Sequence, residues 1–294
     1  TRRAANRRAG RGVSRSVPAA VVADCVARAL DEDLGGRGDV TTEATIDAGL
    51  DGRFAIRARQ TGVLAGRAAA AEAFRQVGSG LDVGWQRNDG DRLAPGDTIA
   101  TVAGPVRGIL TAERTALNFL GRLSGIATAT RAYVDAIEGT GAVIAHTRKT
   151  TPGLRALELA AVSAGGGAPH RFGLDDAILI KDNHVAPCGG VAEAVHRARR
   201  VAGHMTRVAV EIDRLDQLDE AMAAGADSVL LDNFTIDDLA AAVSTASSDG
   251  VVLEASGNVT LETVRAIAET GVAVISIGAI THSAPSLDLG LDTA

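Results

Sequence analysis

After Gly141, short apolar segments alternate with Ala-rich amphipathic stretches through the second half of the chain. Stretches such as VAEAVHRARRVAG and LDQLDEAMAAG separate six strand-like segments, which are AVIAHTRKT, AILIKDNHV, RVAVEIDR, DSVLLDNF, GVVLEASGN and VAVISIGAITHS. This alternation indicates a parallel sheet, because a helix usually makes the crossover between two parallel strands. Six strands without a G-x-G-x-x-G turn favour a (β/α) barrel over an open, doubly wound sheet.

Each of these segments ends in side chains that can carry out chemistry. Any one such group is equally well explained as a solvated charge on a loop. Six strands that all end this way favour a functional site at the strand ends. The carboxyl ends of barrel strands meet at one mouth, so we expect the groups to converge there. In chain order they are His146 to Lys149, Lys181 to His184, Glu211 with Asp213, Asp232 with Asn233, Glu254 with Ser256 and Gly257, and Gly278 with Thr281 and His282.

The chemistry of this mouth divides into two sides. The cationic side holds Arg148, Lys149, Lys181, His170 and Arg171. Such a set suits an anion with several carboxylates or phosphates. On the other side, Glu211 and Asp232 are candidates to hold Mg²⁺ or to accept hydrogen bonds from sugar hydroxyls. Small residues in EASGN and SIGAITHS leave backbone N–H groups available to a phosphate, so the mouth predicts a phosphorylated sugar, a divalent metal and a polyanionic partner.

The chain before Gly141 has a different pattern. Its first 16 residues contain six arginines and no acid, and they lack the amphipathic pattern of a transit peptide, so we predict a disordered Arg-rich extension over 1–16. We predict a mixed α+β domain over 17–115 and a barrel domain over 116–283. The N-terminal domain contains a helix over 18–35, a half-buried strand pattern over 52–66, an Ala-rich helix over 67–77 and short strands over 91–110.

The segment 111–141 is predicted to form two helices. Ser124 and Gly125 mark the expected break between them, and Arg114 lies near the start of the first. The strand-end segment AILIKDNHV opens with four apolar residues, which predicts a strand buried on both faces.

Composition excludes several classes of partner. Aromatic residues make up 2% of the chain and the net charge is −6, so a nucleic-acid partner is not expected, because base stacking needs aromatics and phosphate binding needs positive charge. The core must instead be aliphatic. The two cysteines, Cys25 and Cys188, are far apart, which suits a reducing cytoplasm and gives no metal motif. No apolar run reaches the roughly 20 residues that a membrane-spanning helix needs.

Several motifs occur in order over nearly the whole chain after residue 18. They are HTRKTTPGLR, GGGAPHRFGLDDAILIKDNHV, VEID, LLDNF, LEASGNVT and GVAVISIGAITHS with LDLGLD. In this combination the sequence resembles the quinolinate phosphoribosyltransferases of NAD synthesis. The resemblance implies an N-terminal α+β domain of the open-faced sandwich type, joined by residues 284–294, and an incomplete (β/α) barrel.

The resemblance also implies a reaction and a set of site residues. The family joins quinolinate to 5-phosphoribosyl 1-pyrophosphate with Mg²⁺, and it yields nicotinate mononucleotide, pyrophosphate and CO₂. Matched to catalytic positions are Lys149, Lys181, Glu211 and Asp232, the two acids also lying near the metal. Matched to substrate-binding positions are Arg114, Thr147, Arg148, His170, Arg171, Ser256, Gly257, Gly278 and His282. The family forms a dimer or a higher assembly, in which the residue matched by Arg114 reaches into the neighbouring subunit's mouth.

One departure and two alternatives stay open. Family members commonly carry a Lys-Tyr pair where this chain has Leu159 and Ala160, which reads either as a packing exchange or as a changed preference among aromatic acids. Without the resemblance, Lys181 at a strand end also fits a Schiff-base aldolase, although that activity would not explain the cationic cluster. A non-catalytic protein that binds phosphate or another anion is the second alternative.

Overall fold

The computed structural model describes residues 17–246 and 250–294. The predicted N-terminal extension lies outside these residues. The described chain forms two compact units. The first, called here the sandwich unit, contains residues 17–131, 150–166 and 279–294, and the second, called the barrel unit, contains residues 132–149 and 167–278. None of the described helices combines the length and hydrophobicity that a bilayer-crossing segment requires.

The sandwich unit is built on a four-stranded antiparallel sheet with the order β12-β1-β5-β3. Its strands are β1 (Asp51–Ala58), β3 (Asp82–Trp85), β5 (Thr98–Pro105) and β12 (Leu289–Thr293), and a second, two-stranded sheet pairs β2 (Gly62–Val63) with β4 (Arg92–Leu93). The helices that lie wholly in this unit are α1 (Ala19–Leu34), α2 (Val40–Thr45), α3 (Arg67–Val77), α5 (Arg155–Ala164) and α11 (Ala279–His282). The C-terminal strand β12 therefore completes a sheet whose other strands come from the first 105 residues.

Helices α1 and α3 form where the sequence predicts them. Helix α1 buries Val22, Cys25, Val26 and Leu30, which recur at the three- and four-residue spacing of one helix face. Pro18 precedes the helix and Gly35, with a φ of 50°, ends it. The two helices pack together, and the Gln76 side chain of α3 donates a hydrogen bond to the Ala23 carbonyl oxygen at 2.9 Å.

Helix α4 (Val106–Ala136) corrects the prediction of two helices with a break at Ser124 and Gly125. The 31-residue helix is continuous, and it also takes in 106–110, which were predicted as strand. The Ser124 hydroxyl is buried and accepts a hydrogen bond from the Ala65 amide at 3.0 Å. A Cβ atom on Gly125 would collide with the Pro285 carbonyl. The serine and the glycine are therefore required for tertiary contacts. A local sequence pattern cannot distinguish this requirement from a helix end.

A buried ion pair anchors the segment that directly follows Lys149. The Glu158 carboxylate of α5 is fully buried. Its Oε1 accepts hydrogen bonds from Arg122 Nη2 at 2.8 Å and from the Thr151 hydroxyl at 2.7 Å, and its Oε2 accepts from the Thr151 amide at 3.0 Å. A buried carboxylate is tolerated when both oxygens are satisfied in this way.

The barrel unit contains six parallel strands in the order β6-β11-β10-β9-β8-β7. They are β6 (Val143–Ala145), β7 (Ile178–Ile180), β8 (Val208–Ile212), β9 (Ser228–Asp232), β10 (Val252–Ser256) and β11 (Val274–Ser276). Between them lie α6 (Asp182–Cys188), α7 (Val191–Val201), a short 3-10 helix (Leu215–Gln217), α8 (Leu218–Ala223), α9 (Ile236–Ala246) and α10 (Val264–Glu269).

The strand order confirms the predicted incomplete barrel. Strands β7 to β11 are neighbours in chain order, and the last strand returns to pair with the first, with Ile275 opposite Ile144. Among the described residues, β6 and β7 do not pair, so the barrel is open between them. This edge position explains why β7 is not buried on both faces as predicted: Ile180 is buried, whereas Ile178 and Leu179 are only half-buried.

We expect Gly125→Ala to lower the free energy of unfolding by about 2 kcal/mol or more, because the new methyl group meets backbone that cannot move aside easily. Gly108→Ala is the matched control in the same helix, since its Cβ would meet only the Leu81 side chain at 3.3 Å or more. We expect the control to be neutral or to gain up to about 1 kcal/mol of helix propensity. Urea unfolding measures both, and equal stability of the two variants would contradict the close contact.

Candidate active site

The register of the barrel strands sorts the candidate side chains into two levels on one face. Glu211 of β8 lies opposite Leu230 of β9, and Leu230 lies opposite Glu254 of β10. One step further towards the carboxyl ends, Asp232 lies opposite Ser256. Residues two apart on a strand point to the same side, so these residues share one face. The three predicted residues Glu211, Asp232 and Ser256 are thus brought together, and Glu254 joins them.

Lys181 and Glu211 form an ion pair between neighbouring strand ends. The register of β7 and β8 places Ile180 opposite Val210, which brings Lys181 level with Glu211. Lys181 Nζ contacts Glu211 Oε2, and the glutamate side chain is only 14% exposed. This pairing favours an ionic role for Lys181 over that of an amine that attacks a carbonyl.

The remaining polar residues of the KDNH run begin a helix rather than line the mouth. Asp182, Asn183 and His184 are exposed and open α6. The His184 ring accepts a hydrogen bond from the Lys181 amide through Nδ1 at 3.0 Å, which satisfies an N–H at the start of the helix. The run therefore combines one inward-facing cation with a helix start.

The cationic wall is formed by two segments of the barrel unit. Thr147, Arg148 and Lys149 directly follow His146 at the end of β6, and the Thr147 hydroxyl accepts a hydrogen bond from the Lys149 amide at 3.1 Å. Burial lowers the pKa of the Arg171 guanidinium, and the charge of Arg148 lowers it further. The two guanidinium groups therefore lie close enough to repel each other, which an anion between them would relieve.

The Arg171 side chain has one hydrogen-bond donor that the described chain leaves unsatisfied. Its Nη1 donates to the Ala177 carbonyl oxygen at 3.3 Å. Its Nε is buried and has no hydrogen-bond partner in the described part of the chain. A buried donor without a partner is costly, so a site that keeps one is expected to satisfy it with a ligand or a water.

Both lysines of the sequence lie at the predicted site: Lys149 is in the cationic wall, and Lys181 contacts Glu211 on the acidic face. The sequence has 30 basic Lys and Arg residues, and only Lys149 and Lys181 are lysine. Arginine, with its planar and delocalised charge, supplies every other basic position. The two compact ammonium groups are thus confined to the predicted site.

His146 and Glu254 form an array with His170 that sequence analysis did not assign to the site. His146 and Glu254 were noted only as members of the polar strand ends. His146 is buried, and its Nε2 accepts a hydrogen bond from the His170 amide at 3.0 Å. The Nε2 of His170 lies 3.3 Å from Glu254 Oε2. The only feature that could have selected these two residues is their burial at the strand ends, and a single sequence does not show burial directly.

The predicted phosphate side contains a turn network around Gly257. Gly257 has a φ of 94°, and a Cβ there would collide with the Asn233 side chain. Asn233 donates to Asp232 Oδ2 at 2.8 Å and accepts from the Asn258 side chain at 2.9 Å. Asn233 and Asn258 themselves have positive φ values, of 57° and 48°, which asparagine tolerates better than most residues. This network, which the sequence analysis missed at Asn258, orients the Asp232 carboxylate.

The other predicted residues lie at different places. Gly278 belongs to the barrel unit and follows β11. Arg114 and His282 belong to the sandwich unit, where both are exposed on α4 and α11. His282 Nδ1 lies 2.6 Å from the Ser283 hydroxyl. Leu159 is buried in α5, as a packing exchange at that position requires.

A cavity of about 480 Å³ lies within the sandwich unit and contains none of the predicted site residues. Arg122 and Asn118 line it, together with residues of α1 and the segment 152–157. We assign the candidate site by chemistry rather than by cavity size, because the convergent charges lie in the barrel unit.

Comparisons with known proteins point to one family. The sequence models described as "Quinolinate phosphoribosyl transferase, N-terminal domain" and "Quinolinate phosphoribosyl transferase, C-terminal domain" match residues 39–124 and 126–292. The probable carboxylating nicotinate-nucleotide pyrophosphorylase of Bacillus subtilis is 44% identical over 261 residues, which is 89% of each chain. The carboxylating nicotinate-nucleotide pyrophosphorylase of Mycobacterium leprae is 46% identical over 273 residues, 92% of this chain and 96% of its own.

A solved structure agrees with this similarity. The structure of the nicotinate-nucleotide pyrophosphorylase from Francisella tularensis superposes with a TM-score of 0.91 at 40% identity. The match covers 96% of this chain and 99% of the other. Sequence and fold are thus shared over nearly the full length of both chains.

We expect benzene-1,2-dicarboxylate at saturating concentration to raise the melting temperature of the protein by about 5 °C, through binding to the cationic wall. Arg171→Ala should abolish this rise in melting temperature, because it removes one of the two neighbouring guanidinium groups to which the dicarboxylate would bind. Arg197→Ala, an exposed charge change on α7 of the same unit, is the matched control and should keep the rise. Differential scanning fluorimetry measures all three, and an equal rise in both variants would place the anion elsewhere.

Proposed function

The chain belongs to the quinolinate phosphoribosyl transferase family, and we propose that it transfers a phosphoribosyl group from 5-phosphoribosyl 1-pyrophosphate to quinolinate with decarboxylation. The products are nicotinate mononucleotide, pyrophosphate and CO₂, and the reaction serves NAD synthesis. The observation that carries this proposal is that one unit holds both a cationic wall, containing Arg148 and Arg171, and a sheet face that carries Glu211 and Asp232, with His170 of the wall 3.3 Å from Glu254 of that face.

The cationic wall fits the acceptor. Quinolinate carries two adjacent carboxylates, and guanidinium groups bind carboxylates with two parallel hydrogen bonds. Arg148 and Arg171 take these carboxylates, with Thr147 and His170 beside them. Arg171 Nε is then satisfied by the substrate. Lys149 and Lys181 lie between the acceptor and the phosphoribosyl donor.

The acidic face fits the donor. Loss of pyrophosphate leaves positive charge on C1 of the ribose, and a preorganised carboxylate stabilises such charge as it develops. Glu211 or Asp232 supplies it, and Asn233 fixes the orientation of Asp232. Ser256, Gly257 and Gly278 of the barrel unit cradle the 5-phosphate with backbone N–H groups.

The two chemical steps follow from these positions. The ring nitrogen of quinolinate bonds to C1 as the C1–O bond to pyrophosphate breaks. The pyridinium ring then accepts the electron pair released when the bond to the adjacent carboxylate breaks, and C2 takes up a proton. The wall holds the acceptor in the geometry that both steps need, which is positioning rather than acid–base catalysis.

Mg²⁺ fits the same face as a cofactor. Among the described residues no cluster of three or more His, Cys, Asp or Glu side chains can enclose a metal ion. Mg²⁺ does not need such a cluster, since it commonly binds through one or two carboxylates together with substrate phosphates. Glu211 and Asp232 supply that set, directly or through water. When bound there, Mg²⁺ would supply positive charge to neutralise the leaving pyrophosphate.

We extend the proposal to assembly and location. The protein acts as a homodimer or higher homo-oligomer in which Arg114 enters the mouth of the neighbouring subunit. One observation supports this: Arg114 is exposed on α4. We place the protein in the cytoplasm, in line with its two free cysteines.

The two alternative functions are less well supported by the same site. A Schiff-base aldolase needs an uncharged lysine, whereas Lys181 is paired with Glu211. A protein that only binds anions has no use for several carboxylates on one sheet face of the same unit. Borohydride trapping with a carbonyl substrate and binding without turnover are the respective results that would favour them.

We expect turnover of quinolinate and 5-phosphoribosyl 1-pyrophosphate with Mg²⁺, and a fall in kcat/KM of about 100-fold or more in Lys149→Ala and in Lys181→Ala. Arg197→Ala is the matched control and should keep the parent rate. Nicotinate mononucleotide and CO₂ are measured together, with nicotinate as an alternative acceptor. A folded parent that binds the donor but does not convert quinolinate would mean that the acceptor is another acid, and Leu159 and Ala160 would be the first positions to exchange.

Mixing two inactive variants tests the role of Arg114. If Arg114 acts in the neighbouring subunit of a dimer, random mixing of Arg114→Ala with Lys181→Ala restores about a quarter of the parent activity, because half of the dimers contain one intact site. If Arg114 acts within its own chain, every site in the mixture carries a substitution. The activity of the denatured and co-refolded mixture distinguishes the two, and no recovery after proven subunit exchange would contradict the proposal.

A further inference from the structure

Glu254 is a buried carboxylate inside the barrel unit, and only one of its two oxygens contacts a polar group of the described chain. It lies on β10 and is 7% exposed. Its Oε2 lies 3.3 Å from His170 Nε2, and its Oε1 has no hydrogen-bond partner among the described residues. A buried carboxylate is costly unless it is paired, so its retention beside an anion-binding wall needs a reason.

The hydrogen bonds around His170 define its tautomer. The Arg171 amide donates to His170 Nδ1 at 2.7 Å, so Nδ1 carries a lone pair and the ring proton is on Nε2. This places the protonated Nε2 3.3 Å from Glu254 Oε2, at ion-pair distance. The opposite tautomer would set Nδ1–H against the Arg171 amide and would leave two acceptors facing each other at Nε2. Glu254 therefore selects both the tautomer and the direction of the ring.

The oriented ring in turn fixes the backbone of the wall. His146 accepts from the His170 amide at 3.0 Å, and His170 accepts from the Arg171 amide. Two successive amides are thus bound by imidazole rings, one anchored by its burial at the end of β6 and the other by Glu254. Both nitrogens of the His170 ring are engaged within the chain, which leaves Arg171 to present donors to an anion.

We propose that Glu254 is a positioning residue for the acceptor: through His170 it holds Arg171 in place to receive a carboxylate of quinolinate. The proposal rests on the proposed function for the identity of the acceptor. It deepens that function, because a cation next to another cation moves away unless its backbone is fixed, and small displacements of a binding group are costly to a preorganised site. The donor site is not expected to depend on this array.

Two substitutions separate positioning from simple stability. Glu254→Gln keeps an acceptor oxygen facing His170 Nε2, whereas Glu254→Leu removes it at similar volume. We expect Glu254→Leu to raise the KM for quinolinate about tenfold or more and to leave the KM for 5-phosphoribosyl 1-pyrophosphate within about twofold, while Glu254→Gln stays within about threefold of the parent in both. Leu253→Ala, buried on the opposite face of the same strand, is the control for lost stability and should change neither KM.

The tautomer is measured independently in the parent protein. Histidine labelled with ¹⁵N, in two-bond ¹H–¹⁵N spectra assigned with a His170→Gln variant, should show His170 with a proton on Nε2 and an unprotonated Nδ1. Glu254→Gln should retain this pattern. A proton on Nδ1 of parent His170 overturns the proposal even if Glu254→Leu fails to fold.

Three kinetic results would also overturn it. They are an unchanged quinolinate KM in folded Glu254→Leu, an equal rise in both Michaelis constants, and a Glu254→Gln variant as impaired as Glu254→Leu. A parent protein without quinolinate turnover would instead refute the proposed function, and the spectrum of His170 would still decide the geometry.

Discussion

The register of the parallel strands in the barrel unit determines the chemistry of the site. Pairing of β8, β9 and β10 places Glu211 and Glu254 at one level and Asp232 and Ser256 at the next, all on one face. A slip of one residue on any of these strands would turn its carboxylate to the other face. The aliphatic residues that alternate with these acids, such as Val210 and Leu231, are buried on the opposite side and resist such a slip. Core packing and site geometry thus depend on the same register.

Two buried glutamates differ in how completely the chain satisfies their carboxylate oxygens. Glu158 in the sandwich unit has both oxygens satisfied by Arg122 and Thr151, as a structural ion pair should. Glu254 in the barrel unit has one oxygen without a partner in the described chain, and Arg171 has one buried donor in the same condition. Incomplete pairing of buried polar groups is rare in a core and is a mark of sites that complete their hydrogen bonds with a ligand or with water.

The sequence predicted the features that depend on periodicity and missed those that depend on tertiary contact. The six strands and the helices α1 and α3 follow from apolar spacing, and the structure confirms them. Ser124 and Gly125 resemble a helix break locally, yet they sit inside α4 because the chain around Ala65 and Pro285 approaches closely. The KDNH run has one inward-facing residue and three at a helix start, a division that only the end of β7 reveals. Glu254 and Asn258 could not be selected, because burial and positive φ values are not visible in residue type alone.

The use of lysine in this chain has a chemical consequence. Arginine occupies 28 of the 30 basic positions, and the two lysines lie at strand ends of the barrel unit. Guanidinium groups are poor targets for acyl donors at neutral pH, because they stay protonated, whereas a fraction of lysine side chains is reactive. Reagents or metabolites that acylate amines therefore find two lysine side chains, Lys149 and Lys181, as targets within these 294 residues. Each such acylation would remove a positive charge at one of the two lysines proposed to act in the reaction, so on that proposal acylation of these side chains and loss of activity are coupled.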